Sequence, residues 1–301
     1  MSLVSTGVVI GVDVGGTNVL AGVVTPDGRV VSSVQQQTPH RNKHPRVVED
    51  TIARAVRELS AERPALAVGV GAAGFVDTSG STVAFSPHLS WRNEPLRAAL
   101  EARLGVPVTV DNDANTTARA ECRFGAGVGH AQVLCITLGT GIGGALVVDA
   151  AVFRGAHGMA GEFGHMQVVP GGRVCECGNR GCWEQYVSGN ALARAAAATT
   201  GLAVVEAARA GEASAVELLA EAGAWLGTGL ASLCAAFDPE LIVVGGGLSQ
   251  AGDLLLDPAR AALLRNLTGR GYRPEPAVLP AALGVDAGLI GAADLARARL
   301  G

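Results

Sequence analysis

A chain of 301 residues, of which 49% are hydrophobic and 17% charged, is long enough for two hydrophobic cores and too apolar for a disordered protein. Its net charge is −4 and its Lys and Arg residues do not form runs, so the chain lacks the electrostatic footprint of a nucleic-acid-binding protein. We therefore expect two globular α/β domains rich in tight turns, and no nucleic-acid partner.

The N-terminal residues, the length of the apolar runs and the cysteines bear on the cellular compartment of the protein. Residues 1–6 lack a basic segment followed by an apolar stretch, and no apolar run reaches membrane-spanning length. This predicts a cytoplasmic protein without a membrane partner. Six cysteines in such a chain do not indicate a disulfide framework, and the clustering of three of them between positions 175 and 182 indicates a metal site.

The first half of the chain alternates β-branched apolar runs with glycine turns, a pattern typical of a β-meander, and then continues as α/β structure. In chain order we predict strands at 8–13, 19–24 and 29–34, a helix at 51–62, strands at 66–71 and 106–110, and a helix at 114–124. Gly-Gly and Asp-Gly pairs mark the turns of the meander.

The second half repeats this order. We predict strands at 133–138 and 145–148, a helix at 213–237, strands at 241–244 and 277–279, and a helix at 286–299. The repetition predicts two similar domains, residues 1–125 and 126–285, with a cleft between them and a C-terminal helix (286–301) that joins the first domain. Equal spacing of generic α/β elements can also arise by chance.

Three glycine-rich loops follow predicted strands. Glycine at a strand end lets successive backbone N–H groups approach phosphate oxygens. The candidate cofactor-binding residues are Gly15, Gly16, Thr17 and Asn18, then Gly139, Thr140, Gly141, Gly143 and Gly144, and finally Gly245, Gly246 and Gly247. Asp13, at the end of the first strand, could hold Mg²⁺ or its water ligands.

These loops fit neither of the two commonest nucleotide motifs. A Gly-x4-Gly-Lys-Ser/Thr loop is missing, and the first two glycine loops lead into a strand where a dinucleotide fingerprint leads into a helix. Each loop alone is also typical of a plain hairpin turn. Together and in this order they resemble the two phosphate loops and the adenosine loop of the actin, hexokinase and Hsp70 type of ATPase, which implies ATP as a cofactor.

A cluster of short polar residues, Asp111-Asn112-Asp113-Ala114-Asn115, stands where a buried strand meets a helix. Asp113 could accept the proton of an attacking hydroxyl group, and Asn112 could hydrogen-bond sugar hydroxyls as donor and acceptor. Asp and Asn here also make good helix caps, and we expect Asn115 or one of the aspartates to have only that role.

His165, Cys175, Cys177 and Cys182 have the residue types and close spacing of a structural tetrahedral Zn²⁺ site. Four protein ligands leave no open position for catalysis. A disulfide between two of the cysteines is the alternative. Glu162, His165 and Glu184 bracket the ligands and suit recognition of sugar hydroxyls, although Glu184 could also be a solvated surface residue. Cys122, Cys135 and Cys234 are expected in the core.

At this point the motifs resemble one family along essentially the whole chain, the ROK family of bacterial sugar kinases and repressors, and within it the glucokinases. The resemblance implies an actin-like, hexokinase-type fold and transfer of the ATP γ-phosphoryl group to the 6-hydroxyl of glucose. It also implies Asp113 as the base, sugar contacts from Glu162, His165 and Glu184, zinc on the Cys₃His set, and a homodimer or homotetramer. Gly74 and Asn93 are further predicted substrate contacts.

Two positions depart from the family pattern. Asn18 stands where many relatives have Lys, which makes polyphosphate an alternative donor, and His88 stands where relatives often have Asn, which bears on the hexose. Fructose, N-acetylmannosamine or N-acetylglucosamine are therefore alternative substrates. A sugar-responsive repressor is a further reading, but we expect none because the first strand begins by Val8 and leaves no room for a helix-turn-helix domain ahead of it. A non-catalytic sugar sensor is the last alternative.

Overall fold

The computed structural model describes residues 7–300; residues 1–6, from which we argue against a targeting signal, lie outside the described part, as does Gly301. The strands are β1 Val8–Val14, β2 Asn18–Val24, β3 Val30–Gln37, β4 Ala65–Ala72, β5 Phe75–Val76, β6 Val83–Phe85, β7 Arg92–Glu94, β8 Val108–Asn112, β9 Gln132–Leu138, β10 Ile142–Val148, β11 Ala151–Val152, β12 Leu241–Gly245 and β13 Ala277–Pro280. The helices are α1 Pro45–Leu59, α2 Leu96–Leu104, α3 Asp113–Phe124, α4 Glu184–Val187, α5 Gly189–Ala196, α6 Gly201–Arg209, α7 Ala213–Phe237, α8 Asp253–Asn266 and α9 Ala287–Leu300.

Two compact units are formed. The first comprises the described chain up to Gly125, the segment Val152–Ala160 and the chain from Val285 onward; the second comprises Ala126–Ala151 and Gly161–Gly284. Their main sheets have the same plan, β3-β2-β1-β4-β8 in one and β11-β10-β9-β12-β13 in the other. In each sheet a meander is extended by two parallel strands, so the duplication expected from the sequence is confirmed.

The first unit buries the apolar side chains of β1, β4 and β8 in one core with helices α1 and α2. Helix α9 packs on the same sheet so closely that a Cβ atom on Gly11 would lie 1.8 Å from the Leu289 carbonyl oxygen. A similar approach occurs at Gly69, where a Cβ atom would lie 1.7 Å from the Ala292 carbonyl oxygen. Glycine at both strand positions is therefore needed to seat the C-terminal helix.

The second unit has its own core, which joins β9, β12 and the helices α5 to α8. Helix α7, 25 residues long, is apolar and long enough to span a membrane by length and composition, but 56% of its most apolar window is buried within the fold. It packs against α8, where a Cβ atom on Gly227 would lie 2.1 Å from the Ala259 carbonyl oxygen. We interpret α7 as the core helix of this unit.

Element boundaries moved by a few residues from their predicted positions. The strand expected at 106–110 is observed as β8, because Gly105 ends α2 in the left-handed conformation and Pro107 follows it. The helix expected at 51–62 begins at Pro45, where His44 accepts a hydrogen bond from the Arg46 N–H. The small sheet β5-β6-β7 was not predicted, since its strands have at most three residues.

Candidate active site

The first glycine hairpin, residues 15–17, joins β1 to β2 and is held by Thr38. The Thr38 hydroxyl donates to the Gly15 carbonyl at 2.8 Å, and the Thr38 N–H donates to the Thr17 carbonyl at 2.9 Å. Opposite, a Cβ atom on Gly16 would lie 2.9 Å from the Cβ atom of His88. The loop is thus fixed by hydrogen bonds, and its middle residue has no room for a side chain.

Asp13 stands at the end of β1, next to this hairpin. Its carboxylate lies against the first turn of α9, since a Cβ atom on Gly288 would be 2.6 Å from Asp13 Oδ2. Desolvation by the surrounding protein, followed by repulsion from Asp113, raises the pKa of Asp13 to about 7. A cation would relieve both effects, because it would favour the charged carboxylate.

Asp113, the first residue of α3, is the second carboxylate of this group. Its Oδ1 accepts a hydrogen bond from the Ala114 N–H at 3.0 Å. Desolvation raises the pKa of Asp113, while the backbone N–H groups at the helix start and the charge of His88 act in the opposite direction. A carboxylate with a raised pKa is a stronger base than ordinary aspartate, which suits it to accept a proton.

Asn112 caps α3. Its Oδ1 accepts from the N–H groups of Ala114 and Asn115 at 2.9 and 3.1 Å, and its Nδ2 donates to the Gly74 carbonyl at 3.0 Å. The cap expected from Asn115 or an aspartate is therefore wrong, because the helix starts one residue after Asn112. Gly74 has φ 148°, and a Cβ atom there would lie 2.5 Å from the Phe85 carbonyl oxygen, so only glycine fits.

Asp111 is buried behind this cap. Its Oδ1 accepts from the Asn112 N–H and from Asn115 Nδ2, both at 2.9 Å, and its Oδ2 pairs with Arg154. Asn115 therefore positions Asp111, a role different from the expected cap. Arg154 was not predicted, since nothing in the local sequence relates it to Asp111, 43 positions away.

His88 is presented by a rigid loop between β6 and β7. Arg92 Nη1 donates to three carbonyl oxygens of this loop, those of Ser86 (2.6 Å), Leu89 (3.1 Å) and Trp91 (2.6 Å). The sequence marks His88 only as a departure from the family pattern, whereas the fold puts it over Gly16 and within electrostatic reach of Asp113. Asn93, on β7, is exposed with φ 50°, and its substrate contact stays a prediction.

The second glycine hairpin, residues 139–141, joins β9 to β10. The Gly139 N–H donates to the Gly141 carbonyl at 3.0 Å, and the turn is held from outside by the Gly189 and Asn190 N–H groups, which donate to Gly139 and Thr140 at 2.8 and 3.2 Å. The other two glycines of this motif, Gly143 and Gly144, lie within β10. At Gly144 a Cβ atom would lie 2.4 Å from the Phe163 ring, so that glycine is needed for packing.

The third glycine sequence begins at the end of β12, next to the end of β9. Gly245 pairs with Thr137. Gly246 has φ 84°, and a Cβ atom on it would lie 2.5 Å from the Leu138 carbonyl oxygen. Because the carboxyl ends of these parallel strands lie at one edge of the sheet, two of the three predicted glycine loops come together there.

Glu184 lies against the second hairpin. Its Oε2 accepts from the Ile142 N–H at 2.9 Å, and a Cβ atom on Gly141 would lie 2.1 Å from that oxygen. The residue is half-buried at the start of α4. The solvated-surface reading of Glu184 is therefore wrong: its carboxylate is part of the wall of the loop.

The four predicted zinc ligands come together in the second unit. Their donor atoms all lie within 4.8 Å of one another, with Cys175 Sγ 3.7 Å from His165 Nδ1 and Cys177 Sγ 3.6 Å from Cys182 Sγ. Tetrahedral Zn²⁺ with Zn–S bonds of about 2.3 Å separates two sulfurs by about 3.8 Å, so the donor set and spacing fit that ion. All six cysteines are free thiols in this structure, and the four donor atoms are arranged as a tetrahedral ion requires.

His165 connects this cluster to Glu162. Both stand on the short segment around the 3₁₀ helix Phe163–His165, which packs so closely on β10 that a Cβ atom on Gly164 would lie 2.7 Å from the Ile142 carbonyl oxygen. His165 Nδ1 faces Cys175, and His165 Nε2 lies 3.9 Å from a Glu162 carboxylate oxygen. One ring nitrogen is thus available to a metal and the other faces away from it.

Comparison with known proteins places these features in a family. Residues 9–299 match the model of the ROK family. The glucokinase of Streptomyces coelicolor is 46% identical over 97% of this chain and 98% of its own length. The solved ROK family glucokinase from Streptomyces griseus, in complex with glucose and AMPPNP, has a TM-score of 0.90 at 46% identity and covers 97% of this chain and 100% of its own. A ROK hexokinase from Thermus thermophilus has a TM-score of 0.80 at 34% identity, over 97% and 98%.

Proposed function

Because this chain belongs to the ROK family, we propose that it is a glucokinase, which transfers the γ-phosphoryl group of ATP to the 6-hydroxyl of glucose. The observation that carries this function is the likeness to glucokinases along nearly the whole chain, including a relative whose structure holds glucose and AMPPNP. The reaction needs a base for the hydroxyl proton, groups that hold the phosphates, and groups that orient the sugar.

Asp113 is the base in this proposal. A carboxylate that accepts the proton of the 6-hydroxyl makes that oxygen a better nucleophile as it attacks the phosphorus. Its raised pKa supports the role, as does its place at the start of α3, where the helix N–H groups keep it oriented. Asn112 holds the helix start and, through its amide, the position of Gly74.

The two glycine hairpins contact the phosphates of ATP, and the third glycine sequence contacts the adenosine. Backbone N–H groups in such turns are natural partners of phosphate oxygens. Asp13 would hold Mg²⁺, directly or through water, and its carboxylate fits a cation because its own surroundings disfavour an unpaired charge. When bound, Mg²⁺ neutralises charge on the transferring phosphoryl group.

Glu162, His165 and Glu184 contact the hydroxyls of glucose, together with Gly74 and Asn93. Zinc on His165, Cys175, Cys177 and Cys182 is structural in this proposal, since the four protein ligands complete its coordination. Its effect is to fix the His165 ring, whose Nε2 then keeps one orientation. The cytoplasmic location and the homodimer or homotetramer stay predictions.

The function is tested by a coupled assay with purified protein, in which glucose, fructose, mannose, N-acetylmannosamine and N-acetylglucosamine are each paired with ATP or with polyphosphate. We expect the highest kcat/KM for glucose with ATP. A higher kcat/KM for another sugar would move the specificity to that sugar. The comparison of ATP with polyphosphate decides which phosphoryl donor the protein uses. Sugar binding by calorimetry without turnover of any pair would contradict the kinase and favour a sugar sensor.

A further inference from the structure

A polar cavity of about 190 Å³ lies along the outer edge of β8 in the first unit. Its walls come from the turn before β6, from α2, from β8, from the segment after β11 and from the end of α9. The polar side chains that line it include Ser79, Arg97, Thr109, Asp111, Arg154 and Arg299. The proposed kinase reaction uses none of the three arginines.

The charges of the cavity are unbalanced. Arg154 is paired with Asp111. Arg97 Nη1 donates to the Ser79 carbonyl at 3.1 Å, and Arg299 Nη1 donates to the Val108 carbonyl at 2.8 Å, but within residues 7–300 neither guanidinium has a carboxylate partner. Each guanidinium has five N–H donors in a planar fork, so one bond to a carbonyl leaves most of them available to a ligand. Among the described residues that line the cavity, three cations face one carboxylate, which favours an anion.

Thr109 supplies a second, independent observation. It alternates with Val108 and Val110 along β8, and these two valines point into the core of the unit. Thr109 Oγ1 is buried and has no hydrogen-bond partner in the described structure. A buried hydroxyl without a partner is rare in folded proteins. Thr109 lines the cavity, so rotation about its Cα–Cβ bond would turn this hydroxyl towards a ligand there.

We propose that this cavity binds a phosphate dianion, either inorganic phosphate or the phosphoryl group of a phosphorylated sugar. Guanidinium groups from two elements, Arg97 on α2 and Arg299 on α9, bind phosphate oxygens with charge-assisted hydrogen bonds. After this rotation the Thr109 hydroxyl donates to a third oxygen. The tetrahedral shape of phosphate allows it to accept from several walls at once, and the cavity volume is too small for a whole nucleotide.

The test is an isothermal titration of inorganic phosphate into protein saturated with glucose and AMPPNP, so that glycine loops that bind nucleotide are occupied. We expect one phosphate site in the wild type. In an Arg97→Gln/Arg299→Gln double variant its affinity should fall by about 10-fold or more, the scale of a lost charge-assisted hydrogen bond. Thr109→Val should weaken it by a few-fold, because it removes only the hydroxyl group.

Arg270→Gln is the matched control, since Arg270 is exposed and likewise donates one bond to a carbonyl, that of Arg265 at 3.2 Å. It should bind phosphate as the wild type does. A second titration with glucose 6-phosphate identifies the source: tighter binding of the sugar phosphate than of inorganic phosphate assigns the site to a phosphorylated sugar, and the reverse assigns it to the free ion.

Two results would overturn the site: no binding of either phosphate to the wild type, or equal binding to the wild type, the double variant and Thr109→Val. Thermal melts check that the variants fold, and if the double variant does not, the single Arg97→Gln and Arg299→Gln proteins replace it. Because the variants are compared by binding and not by turnover, failure of the proposed kinase reaction would not be mistaken for failure of this site.

Discussion

The two glycine hairpins occupy the same place in duplicated sheets but have different surroundings. The first, after β1, is held by a hydroxyl group from Thr38 and is flanked by Asp13, whose pKa is raised to about 7, and by His88. The second, after β9, is held by backbone N–H groups and by the Glu184 carboxylate, and the Cys₃His cluster belongs to its unit.

This comparison shows that duplication copied the backbone of the hairpin and not its chemistry. Both sheets end in a turn whose N–H groups can approach phosphate, because both turns are rich in glycine. Asp13 and Asp113, the two carboxylates with a raised pKa, stand in the first unit. Glu162, Glu184 and the metal-binding residues stand in the second. We therefore expect mutations at the Asp13 and Asp113 carboxylates of the first unit to act on phosphoryl transfer and mutations in the metal-binding cluster of the second unit to act on sugar binding.

The largest effect is expected from Asp113→Asn. The amide cannot accept the hydroxyl proton, so kcat should fall by about 10²- to 10⁴-fold, the usual contribution of a positioned base. Glucose affinity, measured by calorimetry, should change little. Asp149→Asn is the control, because Asp149 is exposed at φ 50°, a conformation that Asn also adopts, and it should keep its activity. Near-normal turnover of Asp113→Asn would remove Asp113 from the mechanism.

The next effect concerns the metal-binding cluster. Cys177→Ser, or treatment with a chelator, should weaken glucose binding by about 10-fold or more, the scale seen when support of a metal site is lost. Binding of a nucleotide analogue should stay within a few-fold of the wild type. The measurement is paired titration with both ligands, with metal content determined by mass spectrometry and with Cys122→Ser as a control outside the cluster. Full glucose affinity in folded, metal-free protein would limit the metal to fold stability.

Asp13 should make stability depend on pH. Its pKa is raised from 3.8 to about 7 in the folded protein, so the folded state holds the proton more tightly than the unfolded state, and stability is lost as pH rises from about 4 to 7. Asp13→Asn removes the cost of ionisation and should stabilise the protein above pH 7 by up to about 4 kcal/mol, with no gain near pH 4.

Thermal melts of both proteins across this pH range, without Mg²⁺, measure the difference. A constant difference at all pH values would show that Asp13 does not titrate as proposed.

The smallest effect is expected at Thr38. Thr38→Val removes the hydroxyl bond to the Gly15 carbonyl and should cost about 0.5–1.5 kcal/mol in nucleotide-analogue binding, or a few-fold in Kd. Thr38→Ser keeps the hydroxyl and should bind as the wild type does. Glucose binding to both variants should be unchanged. A loss of glucose affinity with intact nucleotide affinity would contradict the proposal that this hairpin contacts the phosphates of ATP.

The repeated order of the predicted strands and helices was confirmed, since β-branched runs between glycine turns and an amphipathic or apolar helix specify their own conformation locally. The actin-like kinase fold and the family were confirmed by the likeness to ROK glucokinases. The polar residues around Asp113 were recognised as a set, but the expected cap was wrong: Asn112 caps α3, and Asn115 binds Asp111. The sequence could not tell which of Asn112 and Asn115 caps α3, because that depends on where β8 ends and α3 begins.

By itself the sequence determined the two meanders, the glycine turns and the Cys₃His set, because these depend on residues close together in the chain. Only the tertiary structure decided which side chains meet over long separations: Glu184 on the Ile142 N–H, Arg154 on Asp111, His88 over Gly16, and the arginine-lined cavity beside Thr109. The physical reason is that such contacts arise where separate helices, strands and loops pack, and no local pattern of residue types records that packing.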